Sequence, residues 1–143
     1  MRIFTIGFTK STAESFFSRL KASGATKLID VRLNNVSQLA GFAKRDDLKY
    51  FAKAICGMDY DHLLSLAPTQ NLLDSYKKRR GSWSDYEREF LALMEERQIE
   101  KIDRNRLDGG CLLCSEDKPH HCHRRLVAEY LKDKWGNVEI KHL

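Results

Sequence analysis

Long apolar runs are missing from this 143-residue chain. No stretch approaches the roughly 20 consecutive apolar residues that a membrane-spanning helix needs, so no membrane partner is expected. The opening Met-Arg-Ile-Phe-Thr-Ile-Gly lacks the long apolar region of a secretory signal, and the expectation is a cytoplasmic protein. Proline occurs only twice, at Pro68 and Pro119. No linker rich in glycine, serine or proline and no internal repeat interrupts the chain, which argues for one domain over residues 1–143. Cysteine is scarce too. Four cysteines without an export signal favour reduced thiols, a metal site or catalysis over a disulfide framework.

What is present is the composition of a globular protein, with 42% hydrophobic and 31% charged residues, which argues against disorder and low complexity. The formal charge of +5 and a pI near 9.1 are compatible with a small anionic molecule, a nucleotide or a nucleic acid as partner.

The periodicities alternate between strand and helix. Residues 2–6 read as a strand closed by Gly7, and Ser11 or Thr12 can cap a helix that carries Phe16, Phe17 and Leu20 and stops at Gly24. Residues 27–32 read as a second strand, so the first forty residues spell strand, helix, strand, a parallel pair. A loop over residues 34–44 leads to a helix over 46–55, a short third strand over 58–63, and a helix over 70–78. Ser82 caps a longer helix through Arg97, and residues 137–143 supply the last strand. The fold class expected is α/β: one three-layer domain, a mostly parallel sheet of about five strands with helices on both faces.

Chemistry concentrates in residues 109–125, which hold three of the five histidines and three of the four cysteines. Gly109-Gly110 followed by apolar residues reads as a loop entering a buried strand. Pro119 reads as the first position of the following helix. A strand end then meets a helix start, whose unpaired N–H groups attract anions. Cys114 and Glu116 share a face if the strand persists, as do Asp30 and Arg32. Glu116 at the end of a buried strand needs a partner, which Arg32 or Arg124 would supply. Cys122 and His123 face the core, and a thiol at a helix start beside cationic groups is expected to have a depressed pKa. The alternative for Cys114 and Cys122 is that each is a small buried hydrophobe.

Sharper motifs are mostly excluded. A phosphatase-type cysteine needs arginine six residues later, and Ala128 stands there after Cys122. Cys111-Leu-Leu-Cys114 has the spacing of a zinc knuckle, but residues three apart on a strand face opposite ways. No cofactor is therefore expected, with zinc held by Cys114, Cys122 and a histidine as the open alternative. His62 closing an ordinary hydrogen bond, Trp83 and Tyr86 packing, and Lys77 to Arg80 as an exposed basic turn are the readings preferred there.

Taken together, Thr5-Ile-Gly7, residues 28–32, Met58-Asp-Tyr60, residues 66–69, Tyr76-Lys77, Trp83, Tyr86, residues 112–116 and Cys122-His123-Arg124 resemble the bacterial and archaeal family called domain of unknown function 488. That family usually shows a small polar pair with histidine after its first glycine, where this chain has Phe8-Thr9. The resemblance implies that Asp30, Arg32, Cys114, Glu116, Cys122, His123 and Arg124 form a shared polar cluster, and it carries no activity with it.

The leading functional expectation is an enzyme whose crevice at the strand carboxyl ends binds an anionic, phosphate- or nucleotide-like substrate. Arg32, Arg124, Asp30 and Thr9 would bind it, Cys122 or Cys114 would be the nucleophile, and Glu116 or His123 would exchange protons. The competing expectation is a non-enzymatic nucleic-acid-binding module that uses the same arginines, with cysteines that only pack.

Overall fold

A computed structural model of the chain describes residues 1–36 and 40–143, so residues 37–39 of the expected 34–44 loop lie outside the described residues. The strands are β1 (Arg2–Gly7), β2 (Lys27–Asp30), β3 (Asp59–His62), β4 (Gly110–Cys114) and β5 (Glu139–His142). The α-helices are α1 (Ala13–Ser23), α2 (Arg45–Cys56), α3 (Gln70–Lys77), α4 (Trp83–Arg97), α5 (Arg104–Leu107) and α6 (His123–Trp135). The sheet has the order β3-β2-β4-β1-β5, and every pairing among the described residues is parallel.

Local chemistry accounts for most element ends. The hydroxyls of Thr12, Thr69 and Ser82 each accept the backbone N–H three residues on, from Ser15, Leu72 and Asp85, at 3.1 Å in all three cases. Each satisfies one of the donors that a helix start leaves open. Gly24 closes α1 at φ 82°, a left-handed conformation that side chains resist. Ser82→Ala is expected to lower stability by about 1 kcal/mol. Urea unfolding should show a lower midpoint with an unchanged slope.

The alternation of strand side chains builds two cores. Phe4, Ile6, Leu28, Cys111 and Leu113 pack against Phe16, Phe17 and Leu20 of α1 and Leu48 and Ala52 of α2. On the other face Ile3, Ile29, Leu112 and Cys114 pack against Phe90 and Met94 of α4 and Leu126, Val127 and Leu131 of α6. Helices therefore cover both faces in a three-layer α/β arrangement. Cys111 and Cys114 lie in different cores, as their odd spacing on a strand requires.

Two local expectations are corrected. Pro119 does not open α6: the helix begins at His123 with Cys122 as its N-cap, and Pro119 instead sits in a turn whose carbonyl accepts Cys122 N–H at 3.3 Å. Between β4 and this turn the Arg124 guanidinium donates to the carbonyls of Glu116 and Asp117. The strand, likewise, stops at Cys114 and does not continue to Glu116. The one-turn helix α5 has no counterpart in the sequence expectations, since four residues carry no usable period.

Candidate functional site

At the carboxyl end of β2, Asp30 is fully buried and Arg32 is 3% exposed. Asp30 Oδ1 accepts the Arg32 backbone N–H at 3.1 Å and Nε–H at 2.9 Å, while Oδ2 accepts Nη2–H at 2.7 Å and the Tyr60 hydroxyl at 2.5 Å. β2 stops at Asp30 and not at the expected residue 32; the Asp30 carboxylate takes the Arg32 backbone N–H in a turn, which brings the guanidinium side-on to it. Around this pair Asn35 Nδ2 donates to the Tyr60 hydroxyl at 3.0 Å and approaches His62 Nδ1 at 3.1 Å. His62 Nε2 lies 2.7 Å from the Arg32 carbonyl. A carbonyl only accepts, so Nε2 carries the ring hydrogen and Nδ1 accepts from Asn35. The Tyr60 hydroxyl is held well above its usual pKa by burial and by its hydrogen bond to Asp30. The guanidinium carbon also sits 5.2 Å from the centre of the Phe8 ring. The outer nitrogen, Nη1, is buried and has no hydrogen-bond partner among the described residues.

A second group forms where β4 ends and α6 begins. Cys114, Cys122 and His123 are all buried, and their sulfur and nitrogen atoms lie within 4.8 Å of one another. His123 Nε2 is 2.6 Å from the Val31 carbonyl, which again assigns the ring hydrogen to Nε2. Cys114 Sγ is 3.5 Å from Nδ1 and 3.8 Å from Nε2. The Phe90 ring, 5.4 Å away and tilted by 49°, packs against the imidazole. Such a group of two sulfurs and an imidazole can hold a metal ion.

The two thiols are electrostatically unequal. Cys114 is lowered below the ordinary thiol value, chiefly by the hydrogen bond from Cys122, with burial opposing and the Ser115 backbone assisting. Cys122 is pushed well up, first by burial and then by Cys114. The expected depression at Cys122 is thus reversed: desolvation outweighs the attraction of a helix start when the thiol is 3% exposed. Cys111, fully buried in the other core, is also raised by burial.

Both groups open onto one cavity of about 210 Å³. Arg32, Cys114, Glu116, Cys122 and His123 line it, together with Leu33, Asn34, Pro68, Leu73, Tyr76, Lys77, Trp83, Tyr86, Ser115 and His121. The wall is aromatic: Trp83 stacks on His121 at 4.8 Å and on Tyr86 at 5.1 Å between ring centres. Lys77 Nζ and Glu116 Oε1 meet at 3.4 Å, with side chains 57% and 43% exposed. An ion pair that open is worth little.

Several expected site residues therefore fall elsewhere than the sequence suggested. Glu116 is paired with neither arginine side chain, because the chain leaves the sheet at Cys114 and carries the carboxylate outward to Lys77. Arg124 is buried and does not line the cavity; its guanidinium holds the Glu116 and Asp117 carbonyls from below. Thr9 is exposed, lies outside the cavity, and donates its hydroxyl to the Ser115 carbonyl at 2.5 Å. Asp30 stands behind Arg32 and reaches the cavity only through it. His62 buttresses the same arginine. Sequence reasoning missed Tyr76, Lys77 and His121 as cavity residues. Trp83 and Tyr86 at the start of α4 were visible as packing residues, but nothing local tells which cavity that face borders.

No helix of the described residues is long and apolar enough to cross a membrane. No curated protein and no solved structure matches the chain. A family model described as a domain of unknown function, DUF488, matches residues 12–131, a span from the cap of α1 into α6 that contains every residue lining the cavity. The protein thus belongs to the DUF488 family.

Proposed function

We propose that this cavity is the active site of an enzyme acting on a small anionic molecule of the phosphate or nucleotide kind. The observation that carries the proposal is Arg32, which lines a cavity floored by two sulfurs and an imidazole and whose buried Nη1 has no hydrogen-bond partner among the described residues. An unsatisfied buried donor costs roughly 1–3 kcal/mol, and more when charged, so an anion seated there recovers what the empty wall gives up. Asp30 occupies the Nε and Nη2 edge of the guanidinium, which leaves the Nη1 end for two oxygens of a phosphate or carboxylate.

The roles divide by position. Arg32 binds the anion, and Asp30, Tyr60, Asn35 and His62 hold Arg32 still. Cys114, Cys122 and His123 supply electron-rich groups at the floor, where the reacting atom of the substrate is brought. Glu116 exchanges protons with bulk water at the rim, and Lys77 adds positive charge at the mouth.

Calorimetric titration of the full chain with inorganic phosphate and with adenosine monophosphate tests this. One site per chain is expected, weakened at least about tenfold by Arg32→Lys, which keeps the charge and loses the fork. No binding of either anion to the wild type, or equal binding by Arg32→Lys, overturns the proposal. Retention on nucleic acid alone, falling steeply with salt, replaces it with a nucleic-acid-binding module.

A further inference from the structure

We propose that Cys114, Cys122 and His123 bind one Zn²⁺ ion and leave its fourth coordination position open to the cavity. The proposal takes from the function proposed above only the identity of the group that fills this fourth position. The three ligands themselves follow from geometry.

The separations suit the ion. Zinc bonds of about 2.3 Å to sulfur and about 2.0–2.1 Å to nitrogen, at tetrahedral angles, place a sulfur and a nitrogen ligand about 3.6 Å apart. Cys114 Sγ and His123 Nδ1 are 3.5 Å apart, and Cys122 Sγ lies within 4.8 Å of both ligand atoms. The imidazole is also prepared for coordination. Metal-bound histidines almost always donate their other ring N–H to a carbonyl, carboxylate or water, and His123 Nε2–H is committed to the Val31 carbonyl at 2.6 Å. That bond fixes the tautomer with the Nδ1 lone pair free; Cys114 Sγ stands over the ring, 3.5 Å from Nδ1 and 3.8 Å from Nε2, so coordination requires the imidazole to tilt until Nδ1 points at the shared ion.

The charge balances as well. Two thiolates and a neutral imidazole around Zn²⁺ give a neutral group, the form that suits buried surroundings. On binding, each thiol loses its proton to solvent and each sulfur donates a lone pair, with no change of oxidation state. Thiolate and imidazole together select zinc over magnesium or calcium. Three protein ligands with one open position is the pattern of a reactive, not a purely structural, zinc site. All three ligands line the cavity that Arg32 also lines, so the metal group and this arginine border one space. A water molecule or a substrate oxygen is the expected fourth ligand. Cys111 takes no part, because it projects into the opposite core.

The test uses the full chain, stripped of metal and titrated with Zn²⁺ against a chromophoric chelator, with elemental analysis of the protein as purified. One zinc per chain is expected. Cys122→Ser and His123→Gln should each weaken it by more than the 10–100-fold that loss of an outer partner costs, whereas Cys56→Ser should leave it unchanged. Cobalt substitution of the wild type is a readout that needs no variant to fold: thiolate-to-cobalt charge transfer and intense visible bands of a tetrahedral ion are expected. Absence of zinc binding, unchanged affinity in both ligand variants, or a cobalt spectrum of an octahedral oxygen-bound ion overturns the proposal. Phosphate binding retained without any zinc site sinks this inference alone. A zinc site in a chain that binds no phosphate sinks the anion assignment alone.

Discussion

Gly7→Ala is expected to destabilise the protein by about 3 kcal/mol or more, at the upper end of what overpacking costs. At the end of β1 the backbone of Glu116 passes directly over Gly7. A Cβ built there would overlap the Glu116 carbonyl oxygen and stand 2.5 Å from its carbon and 2.9 Å from Arg124 Nη1. None of these neighbours can step aside cheaply. The Glu116 carbonyl is held by Arg124, and the Ser115 carbonyl beside it accepts the Phe8 and Thr9 backbone N–H groups at 3.2 and 2.9 Å. One methyl group therefore has to move either the strand or the turn that carries the cavity rim. Urea unfolding of Gly7→Ala against wild type measures the cost, and a loss under about 1 kcal/mol would mean that the turn yields freely. The same variant should bind phosphate more weakly under conditions where it is folded, because Ser115 and Glu116 line the cavity.

The second large effect is expected at Asp30→Asn, about 3–5 kcal/mol of stability lost, the cost of removing one partner from a buried ion pair. Asp30 accepts the three Arg32 donors and the Tyr60 hydroxyl from a fully buried position. Asparagine keeps the shape but removes the charge and turns one acceptor into a donor, so Arg32 is left buried without its counter-ion. Tyr60→Phe removes a neutral donor to Asp30 and an acceptor for Asn35 Nδ2, and should cost about 1–2 kcal/mol. Thermal unfolding of the two variants side by side separates the contributions. A cost for Asp30→Asn no larger than that of Tyr60→Phe would show that solvent relieves the pair and that Arg32 is not rigidly held. Because Asp30 does not itself face the cavity, its effect on phosphate binding must pass through Arg32, which makes it a positioning residue.

Much of this architecture was legible in residues close together along the chain. Ser82, and Ser11 or Thr12, announced helix starts because a cap closes within three residues, and the structure uses Thr12 and Ser82; Thr69, a third cap, was not singled out. The alternation over residues 110–114 separated Cys111 from Cys114; Asp30 and Arg32 do meet, but through a turn just past the end of β2 and not through strand alternation. Other features were not legible in this way. Pro119 has the local credentials of a helix start, yet it sits in a turn closed by Cys122 N–H, and the helix starts at His123. Cys122 looked like an activated thiol from its neighbours alone, whereas its environment is set by the cores that bury it.

The sequence by itself determined the succession of the five strands and of the helices other than α5, and the two faces of each strand, because these rest on hydrogen bonds and pleat geometry spanning a few residues. Only the tertiary structure decided that Tyr76, Lys77, Trp83 and His121 complete the wall of the cavity. It also decided that Arg124 supports the site from below, that Arg32 keeps a donor free, and that Cys114 is the thiol whose ionisation is favoured. Those outcomes follow from desolvation and from how α3, α4 and the turn after β4 pack around the sheet end, which no local periodicity encodes.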